Sequence, residues 1–502
     1  MSSRYHHKLH HFFTNKIIAK SIGYLIFATL ILIPIFGGLG KSPLHLWDES
    51  RLAISAYEML QDGNYLIPHY RGEPDMWSTK PPLMIWLQVL SFKIFGVNEF
   101  AVRFPAALAA FCTCLFLLFF VNHLYKNFFL GFVATMLLVT SIGYIGYHGA
   151  RTGDYDALLT LFLTISGGSF FLFCENEHKK WLYLFFITTA LAVLTKSVAG
   201  LMFLPAIAIY ALLQKKALSL LKNRDFYIGI AIFVIFTISY YIGRELLNPG
   251  YLHAVFQNEW GGRYLQTLEG HGHPFFYFHH NFMFYRFSPW YFFIPAGIVA
   301  SFFTKNTVIK RVTLFASIIT LSFFLIISSS QTKLLWYDLP IYPFMVLLIL
   351  PLFDLMIQLF NRIKKNRFTP LIRLIPYIIL VALLIVPYIQ MVNKNFSDNR
   401  KHYIWHGYEI NLFLKEALQG KYDLDNHFVV HDGYNQQYLF YFYLLKEKGV
   451  TINFKSKENL QKENQVILFQ DNIKTYVEQH YQYKITHQYG NVFTYFIEKK
   501  IE

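Results

Sequence analysis

The sequence is poor in charge. Only 15% of its 502 residues are Asp, Glu, Lys or Arg, whereas 54% are hydrophobic and 19% are aromatic. Soluble globular proteins carry about 25% charged residues, so this composition excludes an ordinary soluble fold. Apolar runs long enough to cross a hydrocarbon core of about 30 Å recur along most of the chain. The composition therefore predicts an all-α membrane domain with many spans.

In this chain we expect neither of two features of many secreted proteins, a disulfide framework and a cleavable signal peptide. Its three cysteines, Cys112, Cys114 and Cys174, lie inside or at the edge of apolar segments, which indicates core residues rather than disulfides or metal ligands. The N-terminal segment is basic, but the apolar run after it is long and has no small-x-small cleavage site. We expect that first run to stay in the membrane as an anchor.

Eleven apolar segments are candidate spans, at about 17–37, 100–121, 128–147, 155–174, 181–195, 198–213, 226–243, 287–303, 312–328, 338–358 and 372–391. With the N-terminus in the cytoplasm, Lys and Arg concentrate in the segments on the cytoplasmic side, as the positive-inside rule requires. The net charge of +15 is therefore explained by topology, and we expect no nucleic-acid partner.

Three long segments fall on the external side, at 38–99, 244–286 and 392–502. The first contains WDESRLAISAYEML, which has the pattern of an amphipathic helix, and KPPLMIWLQVLSFKIFG, which is short for a span and predicts a helix in the membrane interface. The last is polar, and its short β-like runs alternate with helical stretches. We predict a membrane domain at 1–391 and a soluble external α/β domain at 392–502.

Charged residues from distant parts of the chain share the external ends of the spans. Ionisable groups at membrane depth are costly and usually pair or line a functional cavity, so this shared side predicts a site for a substrate with an anionic headgroup. The group consists of Asp48, Glu49, Arg51, Lys80, Arg103, Arg151, Asp154, Asp156, Lys196, Arg263, His271, His273 and Lys333. The candidates for substrate binding among them are Glu49, Arg151, Asp154, Asp156, Arg263 and His273.

Each of these patterns has a simpler alternative. Asp48 fits an ordinary helix N-cap with Glu49 in the first turn, and Arg151 with Asp154 fits another. Lys80 and Lys333 could extend to the interface. The spacing of Asp154 and Asp156 suits a divalent cation, but two carboxylates alone do not establish a metal site.

Six motifs in a fixed order resemble those of the GT-C membrane glycosyltransferases. They are WDESR at 47–51, TKPP at 79–82, RTGDYD at 151–156, LTKSVAGL at 194–201, EWGGRY with HGHPFFYF within 259–278, and SSSQTKLLWYDLPIYP at 328–343. The likeness covers about residues 15–360 and points to the bacterial 4-amino-4-deoxy-L-arabinose lipid A transferases and the dolichyl-phosphate-mannose–protein mannosyltransferases.

The resemblance implies an inverting glycosyltransferase at the periplasmic face of the bacterial inner membrane. It would move a sugar from a polyprenyl phosphate to a lipid, a protein or a polysaccharide. By the resemblance Asp48 is the catalytic base, while Arg51, Lys80, Lys333 and Tyr337 hold the donor phosphate. Asp156 matches a second acidic position and Arg263 a recurrent basic one.

Two positions depart from the lipid A branch of that family. Thr79 stands where the branch has Glu, and Trp260 where it has His. Because those positions contribute to a zinc site in the branch, we predict no metal ligands here and leave a divalent cation as an open alternative. A second alternative is a transporter or flippase of a lipid-linked substrate. Transporters place ionisable groups near the bilayer midplane and often contain inverted repeats, whereas no repeat is visible here.

Overall fold

The computed structural model describes residues 23, 25–267, 269–363, 369–396, 409–433 and 436–501. Within them, seven helices are long and apolar enough to cross a membrane: Glu99–Tyr125, Asp156–Asn176, Lys179–Leu201, Arg224–Leu247, Thr307–Ser329, Leu335–Asn361 and Leu371–Phe396. Five shorter apolar helices accompany them: Leu25–Phe36, Leu83–Phe95, Phe128–Val139, Leu204–Leu213 and Trp290–Phe303. The chain is a multi-pass helical membrane protein, which confirms the prediction from composition.

Each of the eleven predicted spans falls on one of these helices. Seven fall on the long helices and four on shorter ones, while Leu83–Phe95 is the helix predicted to lie in the interface. Residues 17–22 of the first predicted span lie outside the described residues. Hydropathy located these helices well because the apolar side chains of a span match the lipid around it. This match does not depend on which other helices the span contacts.

The basic loops and the predicted site lie at opposite ends of the spans. Helix Asp156–Asn176 begins at Asp156, and its 21 residues carry the chain about 30 Å along the axis. At its far end, Glu175 pairs with Arg311 at 2.6 Å, and the next loop residue, Glu177, pairs with Lys216. These ion pairs join three of the segments that were predicted to be cytoplasmic.

Close packing between spans depends on small residues. A Cβ atom on Gly297 would collide with the carbonyl oxygen of Leu348, so helices Ile294–Phe303 and Tyr342–Asn361 approach each other where one has no side chain. Small residues at such crossings allow the helix backbones to come into contact. In lipid, where burial of apolar surface gives little driving force, this close packing stabilises the association of helices.

The segment at 38–99, which was predicted to be external, packs against helices Glu99–Tyr125 and Asp156–Asn176. Helix Asp48–Asp62 buries Leu52, Ala56 and Met59, which confirms the predicted amphipathic helix. Gly63 ends it in the left-handed conformation (φ 71°), which glycine adopts without strain. Strands β1 (His69–Tyr70) and β2 (Glu73–Pro74) then form an antiparallel hairpin before helix Leu83–Phe95.

The remaining connections contain short helical segments. These are Ile142–Ile145, Ala217–Leu221, Tyr251–Val255, Phe256–Gly262, Arg263–Leu265, Tyr277–Asn281 and Phe282–Arg286, and in the C-terminal part Gln436–Tyr438 and Lys457–Asn459.

The C-terminal part is a small α/β structure. Helices Glu409–Leu418, Leu439–Glu447 and Asp471–His480 accompany strands β3 (His427–Val429), β4 (Ile452–Phe454), β5 (Gln465–Leu468), β6 (Tyr481–Tyr489) and β7 (Val492–Lys500). The strand order is β4-β3-β5-β7-β6. The first three strands are parallel and the last two pair antiparallel.

This α/β part shares a core with the segment at 38–99, because Phe413 and Tyr438 belong to the same buried cluster as Leu44 and Leu52. The α/β architecture agrees with the prediction. The predicted boundary at 391/392 falls inside helix Thr369–Phe396, and residues 397–408 lie outside the described residues, so the division into two domains stays a prediction.

Candidate active site

Four of the residues given a catalytic or binding role from the sequence line one cavity of about 390 Å³. They are Asp48, Lys80, Asp156 and Tyr337, and they come from four separate segments of the chain. The other polar residues of the lining are Lys196, Glu259, Tyr264, Ser330, Thr332 and Trp336. Apolar residues continue the lining: Leu159, Val198, Met202, Phe323, Ile327 and Pro340. The cavity therefore suits a ligand with a charged head and an apolar tail.

Asp48 is the first residue of helix Asp48–Asp62 and is only half-buried. The N-cap of this helix is Trp47, which makes no capping hydrogen bond through its side chain. The alternative reading of Asp48 as the N-cap is therefore wrong by one residue. Its position in the first turn still suits a carboxylate, because the helix dipole stabilises negative charge there. Its side chain remains directed to the cavity.

Glu49 points away from the cavity and is 1% exposed. Its Oε1 accepts from Arg103 Nε at 2.7 Å and from the Gly153 backbone N–H at 2.9 Å, and its Oε2 accepts from the His45 N–H at 2.7 Å. Burial opposes ionisation, but the charges of Arg103 and His45 lower the pKa of Glu49 to about 2. We therefore propose that Glu49 positions Asp48, instead of making the predicted contact with substrate.

Asp156 pairs with Lys196 at the cavity wall, where Lys196 Nζ lies 2.5 Å from Asp156 Oδ1. Both residues are buried. The two sit at the near ends of neighbouring helices, Asp156–Asn176 and Lys179–Lys196. Lys196 also lies 5.4 Å from the centroid of the Tyr337 ring, so these three groups form one wall of the cavity.

Asp154 pairs with His148 instead of with a cation of the cavity. The His148 ring stacks on Trp336 with centroids 3.5 Å apart and an interplanar angle of 9°. Burial alone would raise the pKa of Asp154, but His148 and Lys196 lower it below its ordinary value. Asp154 is thus held as an ionised carboxylate behind the cavity.

Three residues could hold a divalent cation. One ligand atom from each of Asp48, His148 and Asp154 lies within 4.8 Å of the others, and carboxylate oxygen with imidazole nitrogen is a donor set that several divalent metals accept. The spacing of Asp154 and Asp156 alone does not form such a set, because Asp156 is paired with Lys196.

Lys80 reaches the cavity from the loop after the hairpin. Its Nζ lies 3.1 Å from Glu259 Oε1. The carbonyl oxygen of the preceding residue, Thr79, accepts from Tyr251 Oη at 2.8 Å. The loop therefore enters the site with a fixed backbone, and Glu259 balances the charge of Lys80.

Arg51 is bound to Asp75, with Nε–Oδ2 and Nη2–Oδ1 distances of 2.8 and 2.6 Å. Asp75 also accepts from the backbone N–H groups of Trp77 and Ser78, and Arg244 donates to its carbonyl oxygen at 2.7 Å. Burial would raise the pKa of Asp75, but Arg51 lowers it. The structure thus places Arg51 in support of the loop that carries Lys80, and its predicted contact with phosphate stays a prediction.

Three further predicted residues, Lys333, His273 and Arg151, are not part of the cavity lining. Buried Lys333 donates to the Ser330 carbonyl, and burial lowers its pKa. His273 stacks on Tyr277 at 4.0 Å; burial, His271 and Lys333 lower its pKa. Arg151 donates to the carbonyl oxygens of Pro34 and Ile35 at the end of the first span. The side chain of Arg263 lies outside the described residues.

Sequence reasoning did not single out Glu259, His148 or Trp336, and it counted Lys196 only as one charge among many. Glu259 and Lys196 lie within the motifs EWGGRY and LTKSVAGL, so the sequence could have indicated both as site residues. His148 lies three residues before Arg151, and only the fold shows that it approaches Asp48.

Sequence comparison shows which known proteins the chain resembles. A sequence-family model described as dolichyl-phosphate-mannose-protein mannosyltransferase matches residues 79–242. An uncharacterised protein of Aquifex aeolicus is 29% identical over 64% of this chain and 62% of its own length. An undecaprenyl phosphate-alpha-4-amino-4-deoxy-L-arabinose arabinosyl transferase of Aeromonas hydrophila is 27% identical over 51% of this chain and 46% of its own. The chain thus spans less than two thirds of these relatives.

The similarity in three dimensions is more extensive. The crystal structure of ArnT from Cupriavidus metallidurans bound to undecaprenyl phosphate aligns with a TM-score of 0.68 at 15% identity, over 94% of this chain and 97% of that one. This similarity shows the fold: the chain is a membrane protein with the GT-C fold. Within that class, the chain resembles the 4-amino-4-deoxy-L-arabinose transferases.

Proposed function

We propose that the protein is a polyprenyl-phosphate-dependent glycosyltransferase. The observation that carries the proposal is the cavity itself, whose lining combines Asp48, Lys80 and Lys196 with many apolar side chains. A polyprenyl phosphate that carries a sugar has the same polarity, with an anionic head and a long apolar tail. The similarity to proteins named as undecaprenyl phosphate arabinosyl transferases supports the same donor class.

The proposed reaction is a direct displacement at the anomeric carbon. Lys80 and Lys196 stabilise the charge that develops on the leaving phosphate, and Tyr337 lies beside Lys196. Asp48 accepts the proton from the attacking group of the acceptor as the new glycosidic bond forms and the bond to phosphate breaks. A single displacement inverts the anomeric centre, and it needs one catalytic carboxylate instead of the nucleophile and acid of a retaining enzyme.

The proposed site faces the periplasm of a bacterial inner membrane, with the N-terminus in the cytoplasm. Its support is the ion-paired basic loops at the far end of the spans from Asp48 together with the positive-inside rule. The sugar could be a pentose or a hexose, and the acceptor a lipid such as lipid A, a protein or a polysaccharide. A flippase is not favoured, because the charged groups cluster at one end of the spans.

The test is sugar transfer by the purified protein in vesicles that contain lipid extract from a strain lacking it. We expect wild-type protein to consume a polyprenyl-phosphate sugar that accumulates in that strain. We expect Asp48→Asn to lose about 100-fold or more of the rate while it still binds undecaprenyl phosphate. Asp62→Asn, at the exposed far end of the same helix, is the matched control. Full transfer by the Asp48 variant would reject this mechanism, and lipid movement without transfer would show a flippase.

A further inference from the structure

Three side chains of the C-terminal α/β part hold the backbone that leads into Asp48. Asn411 Nδ2 donates to the carbonyl oxygen of Leu44 at 3.1 Å, and Lys415 Nζ donates to that of Gly40 at 2.7 Å. The Leu44 N–H in turn donates to Tyr441 Oη at 3.0 Å. Leu44, Asn411 and Tyr441 are fully buried, so water cannot replace the two bonds to Leu44.

The membrane part also forms hydrogen bonds with the segment that leads into Asp48. Arg103, which is 1% exposed, donates to the carbonyl oxygens of Leu39, Ser42 and Pro43 at 2.7 to 2.9 Å. Glu99, which lies in the same helix as Arg103, connects the two sets of hydrogen bonds. It accepts from Tyr441 Oη at 3.1 Å and pairs with Lys415 at 3.0 Å.

The segment needs this restraint because it ends in an unfavourable conformation. Trp47, directly before Asp48, has φ 72° and ψ −122°. A bulky residue with positive φ costs about 1–3 kcal/mol and persists only where its surroundings impose it. The Trp47 carbonyl oxygen accepts from Ser50 Oγ and from the Arg51 N–H, both at 3.0 Å, which fixes the start of the helix. The hydrogen bonds on residues 39–44 hold the chain that leads into Trp47.

We propose that Asn411, Lys415 and Tyr441 are positioning residues for Asp48, so that the C-terminal α/β part completes the active site. The inference rests on the proposed function, since it takes Asp48 to be the catalytic base. It gives this part of the chain a role through the backbone of residues 40–47, without any contact of its own with substrate.

The chain offers a matched pair of variants on helix Leu439–Glu447. Tyr441→Phe removes the acceptor of the Leu44 N–H and the donor to Glu99. Tyr443→Phe removes the hydroxyl that donates to Glu58 at 2.7 Å, farther along helix Asp48–Asp62. We expect kcat to fall about tenfold or more in Tyr441→Phe, because small misplacements of a reacting group are costly. KM for the donor should stay within about twofold, and Tyr443→Phe should behave as wild type.

Hydrogen–deuterium exchange provides a readout that does not depend on activity. We expect residues 40–50 to exchange faster in Tyr441→Phe and in Asn411→Ala than in wild type or Tyr443→Phe, with exchange in the spans unchanged. Unchanged exchange at 40–50 would overturn the proposal, and so would faster exchange with wild-type kcat. If wild-type protein transferred no sugar at all, the proposed function would fail, while the exchange data would still decide whether the C-terminal part orders this segment.

Discussion

Lys80 Nζ lies 3.1 Å from Glu259 Oε1 inside the cavity, so this lysine, like Lys196 with Asp156, is already paired with a carboxylate. The Glu259 side chain is 7% exposed, and its charge is therefore poorly screened by water. An anionic donor must share Lys80 with Glu259 or displace it.

Removing the charge of Glu259 should therefore tighten the binding of the donor. We expect Glu259→Gln to bind undecaprenyl phosphate about three- to tenfold more tightly, equivalent to roughly 0.6–1.4 kcal/mol, as measured by calorimetric titration in detergent. Glu245→Gln is a suitable control, because Glu245 belongs to the same external segment but accepts from the backbone N–H groups of Gly250 and Leu252. Weaker binding by Glu259→Gln would mean that the carboxylate orients Lys80 instead of competing for it.

The pair of Lys196 and Asp156 allows structural and catalytic effects to be separated. Lys196→Met leaves a buried carboxylate without its cation, which costs about 3–5 kcal/mol, so we expect a lower thermal midpoint and little transfer. The double variant Lys196→Met/Asp156→Asn removes both charges. We expect it to recover most of the midpoint but none of the activity. Recovery of transfer along with stability would show that Lys196 serves only to neutralise Asp156.

The pair of Glu49 and Arg103 predicts how stability depends on pH. The pKa of Glu49 is lowered from 4.5 to about 2 in the folded protein, so its contribution is complete above pH 4.5 and is lost as pH falls from there towards 2. The shift corresponds to about 3 kcal/mol. We expect the contribution of Glu49 to the thermal midpoint to be constant from pH 7 to 5 and to fall below pH 4.5. In Glu49→Gln the thermal midpoint should be lower at pH 7 and should fall less below pH 4.5. If the midpoint of this variant fell with pH as in wild type, Glu49 would not be the cause of the fall.

Much of the fold could be predicted from the sequence, because hydropathy reports the lipid environment of each span directly. The convergence of Asp48, Lys80, Asp156 and Tyr337 could also be predicted, since topology places the ends of alternate spans on one face. Their partners could not. Whether Arg51 meets a phosphate or Asp75 depends on how a hairpin folds back across the bundle, and no local pattern encodes that geometry. The contact of Tyr441 with Leu44 joins residues 397 positions apart and was not predictable for the same reason.

The two roles open to Arg51 can be distinguished by a double-mutant cycle with Asp75. In this structure the guanidinium is bidentate to Asp75, and Asp75 also accepts the N–H groups of Trp77 and Ser78, two and one residues before Thr79 in the loop that carries Lys80. If Arg51 acts by fixing that loop, Arg51→Met and Asp75→Asn disturb the same contact. We then expect similar losses of donor affinity, and a double variant little worse than either single one.

A direct contact between Arg51 and phosphate gives the opposite pattern. Arg51→Met would then lose a charge-assisted bond worth about 1.5–3 kcal/mol, Asp75→Asn would free Arg51 for the phosphate and so strengthen binding, and the two effects would differ in sign. Since contacting residues couple by about 0.5–3 kcal/mol, titration with undecaprenyl phosphate can resolve the cycle. Because both oxygens of Asp75 already accept from Arg51, we expect the two single variants to lose similar donor affinity and to be strongly coupled. Changes in affinity of opposite sign would instead show that Arg51 contacts the phosphate.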